Sequence, residues 1–339
     1  MSHACDPVRA FIRRQASCVC GHVPTPKHLL VVAPVVLAAL VGGYPSMALS
    51  PQAPPRSFTF RYENDFFNAT DKYYTQGVQL EYSAPLIGRS PTTKLLFRLP
   101  GAEERHSMIV EQNCFTPSSI RRDTIFTGDR PFAAAFFIGQ RAMSVDTQRG
   151  LKLTSLLTLG VLGPCAICAE EQKGIHQALD NIEPLGWEFQ VASDVIVNYA
   201  VRMEKRVWRT SFAETRLGAG VELGTYRTNA SVNGRLDLGR FLSLFDPQVR
   251  SRSIHFNVFL NGQATAVAYD ASMQGGLFNG YSPYTLPQEA IERLVLRGGG
   301  GVELSWRRLC LTYAKTYITP EFVGGKDHGW GTCTIQVLL

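Results

Sequence analysis

The chain has 339 residues, of which 18% are charged, and carries a net charge of +6. That balance excludes a disordered chain, and an ordinary apolar content excludes a helical membrane protein. Part of the positive excess sits at the N-terminus, where Arg9, Arg13, Arg14 and Lys27 face Asp6 alone; no basic stripe with interleaved aromatics follows, which sets nucleic-acid binding aside.

Residues 29–43, LLVVAPVVLAALVGG, form an apolar run with basic residues before it and small residues after it. The run is shorter than the roughly 20 apolar residues a spanning helix needs, and Pro34 interrupts it. It therefore reads as the core of a signal peptide, cleaved after Ala48, rather than as the competing membrane anchor. Residues 1–48 are then a presequence and 49–339 a single exported domain.

From there the chain alternates with period two. In GVQLEY, Val78, Leu80 and Tyr82 alternate with Gln79 and Glu81; in RLGAGVEL, Leu217, Ala219, Val221 and Leu223 alternate with glycines and Glu222. About twelve such segments are expected, starting near residues 57, 73, 106, 131, 151, 187, 207, 227, 253, 290, 309 and 329. Many are longer than soluble strands and close to the ~10 residues that cross a bilayer at a tilt. With an export signal, an even count favours an all-β fold, a transmembrane antiparallel β-barrel without edge strands, over a soluble sandwich. The segment from Ile109 to Phe115 alternates poorly.

One segment breaks the pattern. AEEQKGIHQALDN, residues 169–181, predicts a short helix in the loop after the fifth strand, ended by Pro184. If the N-terminus is periplasmic, the loops after odd-numbered strands share the outer rim, and three polar-dense stretches meet there: ENDFFNATDKYYT, TPSSIRRDTIFTGDRP and the helical loop. Strand phase assigns Glu63, Asp65 and Thr75 to the inward face and Asn64 to the outward one. Carboxylate, amide and hydroxyl oxygens at one rim suit a hard cation such as calcium; the plain alternative is a polar loop with an Asx turn. His176 is the candidate general base, with Gln172 one helical turn earlier on the same face. No GxSxG elbow is present, so a histidine-activated water is favoured over an acyl-enzyme.

Of the eight cysteines, Cys5, Cys18 and Cys20 fall in the presequence. The CxxC of Cys165 and Cys168 lacks a second pair or a histidine at zinc spacing, so it reads as a local disulfide or two thiols rather than a metal site. Cys310 and Cys333 fall on opposite phases of their strands and are not expected to pair.

The ordered set YENDFFNATDKYYTQGV, EQNCFTPSSI with GDRPFAA, and GVLGPCAICAEEQKGIHQALDNIEPLGW resembles the outer-membrane lipid A 3-O-deacylase family, in order through residues 58–190. TPEFVGGKDHGWG near the end also looks like family members. The resemblance implies a twelve-stranded outer-membrane barrel that removes an ester-linked acyl chain from lipid A with calcium and a histidine base. Carried over by motif, the base is His176, its helix partner Gln172, and the first-loop pair Asn64 and Asp65; Thr75 matches the YTxG threonine. Asn64, Asp65 and Thr75 are then the metal candidates, and Arg121 and Arg122 stand in the segment where the family carries a substrate-binding basic residue. The implied partners are lipopolysaccharide and the surrounding outer-membrane lipids, with a homodimer left open. The CxxC and Leu339 in place of a terminal aromatic depart from the family pattern. An outer-membrane phospholipase and a catalytically idle channel or structural barrel are the alternatives.

Overall fold

A computed structural model describes residues 56–68, 72–178, 180–246 and 253–339. The presequence assigned to 1–48 lies outside the described residues, as does Asp71. Twelve strands are present: β1 (Ser57–Asn64), β2 (Tyr73–Ser83), β3 (Glu103–Thr116), β4 (Ala133–Asp146), β5 (Leu151–Leu162) and β6 (Asp194–Arg209), then β7 (Ala213–Gly224), β8 (Arg227–Arg240), β9 (Ile254–Asp270), β10 (Leu294–Trp306), β11 (Leu309–Ile318) and β12 (His328–Leu338). Each pairs antiparallel with its chain neighbours, and β1 pairs with β12, from Ser57 opposite Leu338 to Asn64 opposite Gly331. The sheet is a closed barrel with every strand paired on both sides, the arrangement that leaves no open edge in an apolar solvent.

The predicted starts hold closely except for β6 and β7. Residues Trp187–Phe189 form a 3-10 turn instead of opening a strand, and β6 runs on to Arg209, so β7 begins only at Ala213. The segment that alternated poorly is the upper half of β3, a full strand of 14 residues. The predicted helix is α1 (Cys168–Ala178), in the loop after β5. Among the described residues no helix is long and apolar enough to cross a membrane.

The alternation sorts the wall. Leu159, Val221, Leu223, Val258, Leu260 and Leu296 all stand exposed on the outward face, which no soluble protein would tolerate as a continuous belt. The inward face is charged and cross-linked. Arg61 reaches Glu111 at 3.6 Å, Arg141 reaches Glu81 at 2.7 Å, Arg216 reaches Asp237 at 2.7 Å, and Lys152 pairs with Glu204. These pairs line the lumen with charged side chains. Cys310 lies opposite Gln336 and Cys333 opposite Tyr313, so the two thiols do fall on opposite faces.

The connections after odd-numbered strands include the long ones, residues 117–132, 163–193 and 271–293, and long loops mark the extracellular rim of such barrels. They pack on one another: Leu185 donates its N–H to the Ile120 carbonyl at 2.8 Å, and Gly128 donates to the Tyr284 hydroxyl at 2.7 Å. Arg130 ties this end together. Its buried guanidinium pairs with Glu321 at 2.7 Å, donates to the Ser272 hydroxyl at 2.6 Å and lies 4.3 Å over the Phe115 ring, joining the second, fifth and sixth outer loops.

Removing one partner of a buried pair strands the other, typically at about 3–5 kcal/mol. Arg130→Ala is therefore expected to lower the urea midpoint of the detergent-folded barrel clearly, read by heat-modifiable gel mobility. An unchanged midpoint would show that the outer loops do not depend on this residue.

Candidate active site

The first half of the site is the β1–β2 hairpin tip. Asn64 ends β1 opposite Gln76, and the register puts Asp65 and Thr75 at the next step of the same hairpin. Asn64 Oδ1 accepts the Phe66 N–H at 2.7 Å, an Asx turn, while its Nδ2 donates to the Tyr62 hydroxyl at 3.0 Å. Asp65 opens a 3-10 turn, is almost fully buried, and accepts the Lys72 N–H at 2.6 Å.

The alternation that assigns Thr75 inward does not run unbroken along β2. The β2–β3 register slips between Tyr74 and Gln76, a bulge that makes Thr75 the extra residue and restarts the alternation. Tyr74 faces the lumen, its hydroxyl donating to Glu63 at 2.7 Å and lying 3.0 Å from the Asn113 side-chain amide. Gly77 is required there, because a Cβ would collide with the Tyr74 hydroxyl. Glu63 keeps its expected inward phase; Asp65, in the 3-10 turn beyond the strand, leaves the strand alternation altogether.

The second half is α1. Cys168, Gln172 and His176 are its buried residues, spaced four apart and hence on one face. That face lies on the outside of the barrel wall. Cys168 is disulfide-bonded to Cys114, an outward residue of β3, which corrects the expectation of a local bond within the CxxC: the two cysteines that meet are 54 residues apart in sequence. Trp187, Phe132, Ala134 and Ala166 complete an apolar seat around this disulfide.

A hydrogen bond links the two halves. Gln76 donates its amide to Glu171 Oε1 at 2.8 Å, linking the residue after Thr75 to the residue before Gln172. Burial pushes the Glu171 carboxyl up, against hydrogen bonds from Gln76 and Gln112 that favour its charged form. Two further side chains are oriented by their partners. Trp187 Nε1, which can only donate, gives its proton to Gln172 Oε1 at 2.7 Å, so the Gln172 NH2 is turned to the other side. The Ile182 carbonyl, which can only accept, lies 2.5 Å from His176 Nδ1, placing the ring proton on Nδ1 and a lone pair on Nε2.

Arg121 and Arg122 are both exposed on the second outer loop. The residues that sequence reasoning missed are Tyr62, Gln76, Gln112 and Glu171. Their signal was available: three are polar side chains in the outward phase at the tops of strands, where a lipid-facing wall should be apolar. As for a cation, among the described residues no group of three or more His, Cys, Asp or Glu converges. The donors present are a buried carboxylate, an amide and a hydroxyl from Asp65, Asn64 and Thr75, an all-oxygen set whose chemistry fits a hard cation.

A comparison with curated proteins finds no match. Among solved structures, LpxR from Salmonella typhimurium aligns with a TM-score of 0.67 at 18% identity, covering 84% of this chain and 100% of that one. The β domain of the Bordetella autotransporter BrkA aligns at 0.42 with 12% identity over 84% and 98%, and the translocator domain of NalP from Neisseria meningitidis at 0.37 with 9% over 92% and 96%. The family model for the outer membrane protein LpxR matches residues 30–339, and with the twelve-stranded barrel whose outer wall faces lipid, it establishes that this chain belongs to the LpxR family of outer-membrane proteins.

Proposed function

We propose that the protein is a calcium-dependent ester hydrolase that removes the acyl or acyloxyacyl chain at a 3-position of lipid A, using a water activated by His176. The observation that carries the reading is the position of the buried Cys168–Gln172–His176 face: it rests on the lipid-facing side of the wall, at the outer rim, where a lipid would arrive laterally from the membrane. Family membership supports the substrate class.

In this mechanism His176 Nε2 takes a proton from water while Nδ1 stays bonded to the Ile182 carbonyl, which holds the ring in its productive tautomer. The resulting hydroxide adds to the ester carbonyl, the Gln172 NH2 donates to the developing oxyanion, and the imidazolium returns its proton to the departing sugar oxygen. The products are a free carboxylic acid and a hydroxyl on lipid A. Asp65, Asn64 and Thr75 are the residues that would hold calcium, which when bound supplies positive charge at the oxyanion.

Lipid A incubated with purified, detergent-folded protein and analysed by mass spectrometry is expected to lose one hydroxyacyl or acyloxyacyl unit with calcium present, to lose none in excess chelator, and to recover the activity when calcium is restored. Chelator-resistant cleavage would remove the cation, and cleavage of glycerophospholipid alone would move the substrate to the phospholipase class. His176→Ala is expected to cut turnover roughly 10²- to 10⁴-fold in a barrel that still folds and inserts; near-normal turnover would end the histidine mechanism. Cys114→Ser, which frees the helix from the wall, is expected to lower kcat on the order of 10²-fold with little change in KM, since a small displacement of positioned groups is that costly. Unaltered kcat would make the disulfide a stability element only.

A further inference from the structure

The connection between β2 and β3, residues 84–102, is on the periplasmic side, where turns are expected to be short, yet it is long and ordered into two 3-10 turns, Pro85–Arg89 and Pro91–Leu95. It does not hang below the barrel. It folds back onto the outer wall and crosses β3, β4, β5 and β6 in turn. Ala84 donates its N–H to the His106 carbonyl at 3.0 Å, and Gln140 donates to the Thr93 hydroxyl at 2.7 Å and the Ile87 carbonyl at 3.3 Å. Ser155 donates to the Phe97 carbonyl at 2.6 Å, and the Tyr199 hydroxyl donates to the Leu95 carbonyl at 2.8 Å while accepting the Phe97 N–H at 3.1 Å.

These wall residues are all in the outward phase. Gln140 stands in register with Met108 and Leu157 and two residues from Ile138, so the strap abuts the exposed apolar wall directly. It covers a polar patch that lipid would not accept, and replaces it with a different surface. Leu86, Leu95 and Phe97 are 69%, 62% and 63% exposed on its outer side. Arg89 and Lys94 between them and Arg98 just after Phe97 are also exposed, and residues 84–102 contain no acidic side chain.

We propose that this strap is an interfacial element seated in the periplasmic leaflet, with Leu86, Leu95 and Phe97 among the acyl chains and Arg89 and Lys94 binding the headgroups of anionic phospholipid. Apolar side chains flanked by basic ones are what an interfacial segment needs, since the long stems reach the headgroup level while the apolar groups stay in hydrocarbon. Arg98 is partly occupied by Glu104 at 3.1 Å, which leaves Arg89 and Lys94 as the headgroup ligands. The proposal rests on the barrel's place in the membrane and not on the hydrolytic reaction.

The test is photo-cross-linking in vesicles of phosphatidylethanolamine and phosphatidylglycerol, with benzoylphenylalanine in place of Leu95 or Phe97. Leu159 on the bare wall is the positive control and Tyr281 in an outer loop the negative one. The expected result is phospholipid adducts at both strap positions in yields like that at Leu159, with phosphatidylglycerol several-fold enriched over its share of the vesicle. Arg89→Gln with Lys94→Gln is expected to abolish the enrichment and keep the adducts, in protein whose heat-modifiable mobility shows a folded barrel. Strap positions that give no lipid adduct while Leu159 does, or that cross-link to a second copy of the chain, overturn the leaflet placement. Adducts without phosphatidylglycerol enrichment overturn the headgroup recognition.

Discussion

Every strand of this barrel shows one face to lipid and one to the lumen, and the structure follows from what that constraint permits on the lipid face. A backbone in hydrocarbon must be paired throughout, which closure achieves by joining β1 to β12. A polar side chain on the same face must be covered, because an unsatisfied buried polar group costs roughly 1–3 kcal/mol or more. Among the described residues, two polar patches on the wall have such covers. Near the outer rim Gln76 and Gln112 meet Glu171 and the Ala166 carbonyl of the α1 loop. Further down the wall Gln140, Ser155 and Tyr199 meet the strap. The two devices look unrelated in sequence and answer the same physical need.

The covers differ in how firmly they are held. The strap is bound through hydrogen bonds to its backbone and small residues, and it presents apolar side chains outward. The helix is pinned covalently through Cys168, and only then by Glu171 and the packing of Trp187 on Phe132 at 4.9 Å. An 11-residue helix is marginal on its own, so its Gln172–His176 face has a defined position only because the wall supplies one. The tether lies eight residues from His176 on the same face, and Gln172 lies halfway between.

Much of this was legible from the amino-acid sequence. The strand count, the barrel, the helix and the pairing of Gln172 with His176 all follow from periodicity, and the resemblance through residues 58–190 named the same groups. What was not legible has specific causes. The break in alternation at Thr75 was hidden because a bulge is one inserted residue that leaves no mark in an alternating pattern. The CxxC reads in sequence as a local disulfide or two thiols, but the partner of Cys168 is Cys114, brought near only by β3 and the fold-back of the third loop. The strap's sequence, with Pro85, Pro91 and no alternation, reads as an ordinary connection; its role was written instead in the wall, where Gln140, Ser144 and Ser155 occupy outward positions that ought to be apolar.

A catalytic face outside the barrel, as proposed, would also fix the direction of approach. A lumen lined by Arg61, Glu111, Arg141, Glu81, Lys152 and Glu204 offers no apolar path for an acyl chain, and the loops at its outer end are tied through Arg130. A lipid held in the outer leaflet, by contrast, already has its chains along the apolar wall and its headgroup at the level of the rim. On the proposed mechanism, diffusion in the plane would bring the ester to α1 without extraction from the membrane, so the acyl chain stays in apolar surroundings and avoids the cost of exposure to water. In that reading the barrel is a scaffold whose chemistry sits on the lipid face.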